Sequence, residues 1–326
     1  MMTLLARVFT TVSVALVTAV VPTHAQEVFP SRPIRLIVPQ PPGTGGDIAA
    51  RVMAERFKQD LGQSVIVENK AGANGVIALS FLVKQPADGY TLLLAGVSQM
   101  SFNSHLYKDS AFDVAKDFTY VSPTVEVPFV LVASKKSGIR SMSEMIALAK
   151  IKSGGVYYAS GGVGNSTHLA TAMLGLRMAM PVTHVPYSGS GGALLSVVSG
   201  ETDIMVSPLP IALPHIMSGA LMPIGMLSQE RAEQLPEVAT LQELGINVPV
   251  MPGWYALIGP AGIDPAISKV LQASLEKTFK EPEVQQRLKG LGMFIVGGTA
   301  ERARERGLND STIWGELIRA QNIQLN

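Results

Sequence analysis

The chain has 326 residues, with 26 Lys and Arg against 25 Asp and Glu, a formal net charge of +1, and 16% charged against 47% hydrophobic residues. This excludes a disordered chain, which needs low hydrophobicity and high charge, and an electrostatic nucleic-acid binder, which needs a Lys/Arg excess to neutralise phosphates. Cysteine is absent, which removes thiol chemistry and cysteine-ligated metals, and at roughly 100–200 residues per domain two domains are expected.

Residues 1–25 are read apart from the fold. One positive charge, Arg7, precedes the uncharged run Val8–Val21, which Pro22 stops before Thr23-His24-Ala25. As a helix the run is about 21 Å long, short of the roughly 30 Å hydrocarbon core. This is the pattern of a secretory signal peptide cleaved after Ala25. No later run reaches the roughly 18 apolar residues of a membrane span, so an exported, soluble, periplasmic product is expected.

Short apolar strands then alternate with helices. Ile34–Pro39 reads as a strand, and Asp47–Leu61 as a helix with Ile48, Val52, Met53 and Phe57 on one stripe. Ser64–Glu68 is a strand, Gly75–Lys84 an apolar helix and Thr91–Ala95 a third strand. A second set begins near residue 125 with the strand Val127–Ser134; Ser141 and Glu144 then have capping-box spacing before a helix over Met142–Lys150. Strands follow at Val156–Ala159, Thr183–Tyr187, Asp203–Ser207 and Leu221–Leu227, with helices at Ser166–Ala179, Gly191–Ser199 and Leu213–Met217. The polar stretch Ser228–Leu244 reads as helical in parts. The last stretch gives strands at Trp254–Gly259 and Met293–Val296, and helices at Pro265–Lys280, Pro282–Leu291 and Ala300–Ala320. Such alternation specifies α/β lobes with parallel sheets, and the C-terminal helices are expected to cover the first set.

Three helices follow strands through glycine-rich turns: Pro39–Asp47, Ala159–His168 and Pro186–Gly192. Glycines let the backbone approach a ligand closely, and the free N–H groups and dipole of a helix start attract an anion. None of these turns contains Lys or Arg. A phosphate usually recruits a cation, so the pattern points to a carboxylate. Arg51, four residues after Asp47, is its expected helical partner, and Asp47 is expected to serve the helix N-terminus rather than catalysis.

Enzyme signals are weak. Ile48 stands where a dinucleotide fingerprint needs its third glycine, there is no P-loop lysine, and no G-x-S-x-G elbow occurs. His105, His168, His184 and His215 lack a second ligand at i+3 or i+4, so no metal site and no cofactor are expected. Ser166 and His168 lie close together without an acid to orient the imidazole. Trp254 and Tyr255 are read as a buried pair at a hinge, with stacking on an aromatic ligand as the alternative.

Ordered pieces along the chain carry a family resemblance: Phe29-Pro30-Ser31-Arg32-Pro33-Ile34, Pro41-Pro42-Gly43, Val67-Glu68-Asn69-Lys70-Ala71-Gly72 and Ala87-Asp88-Gly89-Tyr90-Thr91-Leu92. Tyr158-Ala159-Ser160, His184-Val185-Pro186-Tyr187, Ala212-Leu213-Pro214-His215-Ile216 and Gly259-Pro260-Ala261-Gly262 follow. With them the chain resembles the solute receptors of tripartite tricarboxylate transporters, the Bug-type periplasmic binding proteins. The resemblance implies a two-lobed α/β periplasmic binding protein of the venus-flytrap, type II-like kind, with two Rossmann-like lobes around a ligand cleft. One lobe is residues 26–124 plus 248–326, and the other is residues 125–247.

By the same resemblance, a ligand carboxylate is held by the first loop, which maps onto Pro42, Gly43, Thr44 and Gly45. Val97 and Ser98 follow the third strand. Ser160, Gly161, Asn165, Ser166 and Thr167, with His168 beside them, answer from the other lobe, together with Tyr187 and Ser207. Departures from the family bear on specificity. Met205-Val206-Ser207-Pro208 stands where an M-F-D-N acid often receives a ligand ammonium group, so an amino-acid ligand is disfavoured. Val185-Pro186-Tyr187-Ser188-Gly189 loses a lysine, and Gly46 replaces a frequent threonine. The expected protein is not an enzyme but a monomeric receptor of a small carboxylate, which it presents to membrane transporter subunits or to a sensor protein. The rival is an exported hydrolase using Ser166 and His168.

Overall fold

A computed structural model describes residues 28–107, 112–248, 252–320, 323 and 325; the signal-peptide reading of residues 1–25 lies outside them. The elements are β1 (Ile34–Val38), α1 (Gly45–Leu61), β2 (Val65–Asn69), α2 (Val76–Leu82), β3 (Thr91–Gly96), α3 (Asn103–Leu106), β4 (Phe118–Val127) and β5 (Phe129–Ser134). They continue with α4 (Met142–Ile151), β6 (Val156–Ser160), α5 (Ser166–Arg177), β7 (Val182–Pro186), α6 (Ser190–Ser199), β8 (Ile204–Pro208), α7 (Leu209–Met217) and β9 (Leu221–Met226). The last are β10 (Gly253–Pro260), α8 (Pro265–Lys280), α9 (Pro282–Gly290), β11 (Phe294–Ile295) and α10 (Ala300–Ala320).

The strands form two sheets, a six-stranded one in the order β11-β4-β10-β3-β1-β2 and a five-stranded one in the order β7-β6-β8-β5-β9. Both are mixed, which corrects the expectation of parallel sheets. β1 pairs in parallel with β2 and β3, and β6 with β7 and β8. β10 runs antiparallel to β3 and β4, and β5 antiparallel to β8 and β9. The antiparallel strands β5 and β10 are those by which the chain enters one sheet from the other. Local alternation cannot encode that direction.

The strand β4 was not anticipated. It carries Pro123 and the polar Ser122 and Thr124 in its middle, which breaks the apolar pattern of a buried strand. Its hydroxyls are satisfied internally: Ser122 Oγ donates to Pro123 O and Gly298 O, and Thr124 Oγ1 to Tyr255 O at 3.0 Å. The first sheet therefore extends to Val127, and the chain crosses at Pro128. Ser228–Leu244 forms turns rather than helix; its apolar residues Ala232, Leu235 and Val238 are buried against the second sheet.

Each sheet is covered on both faces, which is why whole strands such as Thr91–Gly96 and Phe129–Ser134 are buried. On the first sheet, Leu36, Val38, Leu92 and Leu94 meet Val52, Met53 and Phe57 of α1 with Leu271, Leu275 and Phe279 of α8. The opposite face, Ile37, Leu93 and Ala95, packs toward Leu79 and Leu82 of α2, and toward Phe102, Trp314 and Ile318. In β5, Val130 and Val132 face α6 and α7, while Leu131 and Ala133 face α4 and α5. Local chemistry starts the helices as expected. Ser141 Oγ caps α4 by accepting from Glu144 N at 3.2 Å, and Asp264 caps α8 with Pro265 at its first position.

Candidate functional site

A cavity of about 540 Å³ lies between the two sheets. The turns after β1, β2 and β3 wall it from the first sheet, the turns after β6 and β7 with Pro208 at the end of β8 from the second, and Val127, Phe129 and Gly253–Tyr255 come from the crossing strands. Among the described residues, none of its lining side chains is charged.

The first wall is built around one carboxylate. Asp47, in the first turn of α1, is buried and accepts from Gly43 N (2.9 Å), Asn69 Nδ2 (2.9 Å), and Arg51 Nε and Nη2 (3.0 and 2.8 Å). Burial alone would push this carboxyl up, but the Arg51, Gly43 and Asn69 donors outweigh it and hold it below its ordinary range. Asn69 also donates to Gln40 O at 2.9 Å, and Thr44 Oγ1 to Pro41 O at 2.9 Å, so the whole Gln40–Gly45 turn is fixed from behind. This leaves Gly45, at the first position of α1 and on the cavity wall, with an N–H that no carbonyl of its own helix can accept.

Two more helix starts face the same space. Asn165 caps α5, accepting from Thr167 N at 3.0 Å, while Ser166 lines the cavity. Gly189 precedes α6, whose first residue Ser190 lines it too. The positive ends of α1, α5 and α6 therefore converge on one uncharged pocket supplied with hydroxyl and amide groups, which is an anion-binding arrangement.

The predicted residues divide into three groups. Thr44, Gly45, Val97, Ser98, Gly161, Asn165, Ser166 and Tyr187 line the cavity. Pro42 and Gly43 are exposed at the tip of their turn, away from the lining. Ser160, Thr167, His168 and Ser207 are buried behind the wall. Thr167 Oγ1 accepts from Gly161 N at 2.9 Å, Ser207 Oγ donates to Pro208 O at 3.2 Å, and His168 Nδ1 accepts from Gly164 N at 3.1 Å. Sequence reasoning passed over Gln40, Asn74, Gln99 and Phe129, which line the cavity. Asn74 sits in a fourth glycine turn after a strand, Ala71-Gly72-Ala73-Asn74-Gly75, and that signal was available.

Trp254 and Tyr255 are both buried and both on the lining. Trp254 Nε1 donates to Asp310 Oδ2 at 2.6 Å, and Arg306, paired with Glu126, lies 5.2 Å from the indole centroid. Burial holds the Tyr255 phenol up at about 12. The Tyr187 hydroxyl is buried without a hydrogen-bond partner.

Ser166 and His168 do not pair. Ser166 Oγ is directed to Asn165 Oδ1 at 3.4 Å and His168 to Gly164 N. In this lobe the serine–histidine contact is Ser160 Oγ to His184 Nε2 at 2.6 Å, with Ser160 fully buried and no carboxylate hydrogen-bonded to the His168 or His184 imidazole among the described residues. The rings of His168 and His184 stack 4.0 Å apart, with Tyr158 stacked on His184 at 4.8 Å. Burial pushes His168 down to about 3, with the neighbouring His184 adding to it, and His184 to about 4. Unfolded histidines titrate near 6.5. Their contribution to stability is therefore complete above about pH 6.5 and is lost as pH falls toward 4. We expect on the order of 2 kcal/mol less stability at pH 5 than at pH 7 from each histidine, about 4 kcal/mol from the pair. His168→Gln combined with His184→Gln should flatten that part of a urea-denaturation pH profile, and an equal pH slope in the double variant would refute the assignment.

Among the described residues no group of three or more His, Cys, Asp or Glu could hold a metal ion, and no helix is long and apolar enough to cross a membrane. The model of the tripartite tricarboxylate transporter family receptor matches residues 49–323. Protein BugT of Bordetella pertussis is 34% identical over 300 residues, 92% of each chain. A solved structure described as a periplasmic transporter superposes with a TM-score of 0.87 at 31% identity, covering 91% of this chain and all of that one. R. palustris Rpa4515, solved with adipate, gives the same TM-score at 26% identity and the same coverage. The two mixed sheets are thus those of the periplasmic-binding-protein fold.

Proposed function

Because this chain belongs to the tripartite tricarboxylate transporter receptor family, we propose that it is an exported receptor, cleaved after Ala25, that captures a small carboxylate without turning it over. The ligand then passes to membrane transporter subunits. The observation that carries this reading is the convergence of the α1, α5 and α6 N-termini on one uncharged cavity. Its volume of about 540 Å³ suits a small organic acid, and a relative of the same fold is solved with adipate.

In this proposal the six-stranded sheet forms one lobe, from residues 26–127 and 248–326, and the five-stranded sheet the other, from residues 128–247; the boundary expected at 124/125 moves because β4 carries the first sheet to Val127. The β4–β5 crossing at Pro128 serves as a hinge. A ligand touching both lobes favours the closed form by its differential affinity for it. The receptor acts as a monomer. Ser98, Asn165 and Ser166 supply side-chain donors, while Gly45 supplies a backbone N–H group.

The test is to purify the mature protein from the periplasm, denature it and identify released small molecules by mass spectrometry. A stoichiometric, unaltered carboxylate is expected. Added back at 100 times its Kd, it should stabilise the protein by about 2.7 kcal/mol. Conversion of that compound by the protein would refute the receptor reading.

A further inference from the structure

The two walls of the cavity touch directly at Asn74. This residue lies between β2 and α2 with φ +50°, a left-handed backbone that asparagine tolerates better than most residues. Its own sheet holds it firmly. Its carbonyl accepts from Gln99 Nε2 at 2.8 Å and Asn103 Nδ2 at 3.2 Å, and its Nδ2 donates to Asn103 Oδ1 at 2.9 Å. The same Nδ2 also donates to Gly164 O at 3.0 Å, and Gly164 belongs to the turn between β6 and α5 of the other sheet.

Gly164 is seated closely against the first sheet's side of the molecule. Its φ is +74°, and a Cβ there would stand 2.6 Å from Leu106 Cδ1 and 2.9 Å from Leu325 Cδ1. Its N–H is held by His168 and its carbonyl by Asn74. Asn165, the next residue, caps α5, and Ser166 is that helix's first residue on the cavity wall. A contact at Gly164 therefore sets where the α5 N-terminus stands relative to α1.

We propose that the Asn74–Gly164 hydrogen bond is a latch that biases the two lobes toward closure, and so raises ligand affinity beyond what contacts to the ligand supply. It rests on the two-lobed reading above. A latch that raises the closed fraction lowers the apparent Kd by the same factor. Loss of one such hydrogen bond is expected to change that fraction, and the affinity, about fivefold.

The natural absence of cysteine allows a clean test. Cysteines introduced by Lys84→Cys and Arg177→Cys, both at exposed positions on opposite lobes, carry spin labels. Distances are then measured in protein unfolded and refolded to remove any bound small molecule. Asn74→Gly and Asn74→Asp both accept the left-handed backbone; the first removes the donor and the second turns an acceptor toward two acceptors. Gly164→Ala attacks the same contact from the other side, through its methyl group. All three should shift the distance distribution toward longer separations while circular dichroism stays unchanged. The two Asn74 variants should also weaken adipate binding about fivefold in calorimetry. If adipate shortens the distance in every chain but the variants match the parent without ligand, the latch is refuted and the receptor reading stands. A distance that neither adipate nor any substitution moves overturns both.

Discussion

Gly45→Asp is expected to remove carboxylate binding by more than 100-fold and to leave the fold intact. Gly45 occupies the first position of α1, where its backbone has no left-handed angle to lose. A Cβ there meets Pro208 Cβ at 3.7 Å, and Tyr255 Oη and Val127 Cγ1 at 3.8 Å, which is ordinary contact. An acidic side chain in the first helical turn is favoured by the helix dipole, so the melting temperature should hold. The new carboxylate would lie on the cavity wall, beside the N–H groups assigned to the ligand. Two like charges about 4 Å apart repel by roughly 4 kcal/mol at an effective dielectric near 20. Gly45→Ala controls for volume and should weaken binding far less. Calorimetry with adipate, or with the acid released from the purified protein, reads the effect. Binding unchanged in Gly45→Asp would displace the site from α1.

Asp47→Ala is expected to destabilise the protein by about 2–4 kcal/mol and to weaken binding as well. Its carboxylate is buried, with donors from Gly43, Asn69 and Arg51 around it. Hydrogen bonds to a charged group are worth about 1.5–3 kcal/mol each. Arg51 is half exposed and regains water, so its share is small. Most of the loss falls on Gly43 N and Asn69 Nδ2, and Asn69 also holds Gln40 O. The Gln40–Gly45 turn therefore loosens and the α1 N-terminus loses its position. Asp47→Asn keeps the shape and should recover part of both losses. Chemical denaturation gives the stability, and ligand titration under folding conditions gives the affinity. Native stability with weakened binding would mean that Asp47 acts on the ligand directly.

Much of the local structure was legible in the residues. The 3.6-residue stripe of Val52, Met53 and Phe57 and the Ser141 cap each placed a helix through interactions within a few residues. The pairing of Asp47 with Arg51 followed from helical spacing alone. The three glycine turns that reach the cavity were visible because glycine and a following helix start form one local signal. β4 was not legible, because its Ser122, Pro123 and Thr124 are accommodated by Gly298 and Tyr255, more than a hundred residues away. Ser160 and His168 looked like site residues in a polar turn. The fold uses Ser160 to bond His184 and His168 to hold Gly164.

The alternation of strands and helices, the helix starts and the turns that carry donors follow from local residue order, since these depend on neighbours within one or two turns of chain. The antiparallel course of β5 and β10, the sides of the turns that meet the cavity, and the bond from Asn74 to Gly164 arise from long-range packing. Those features join residues tens to hundreds of positions apart, and which surfaces meet is set by the packing of both faces of two sheets at once.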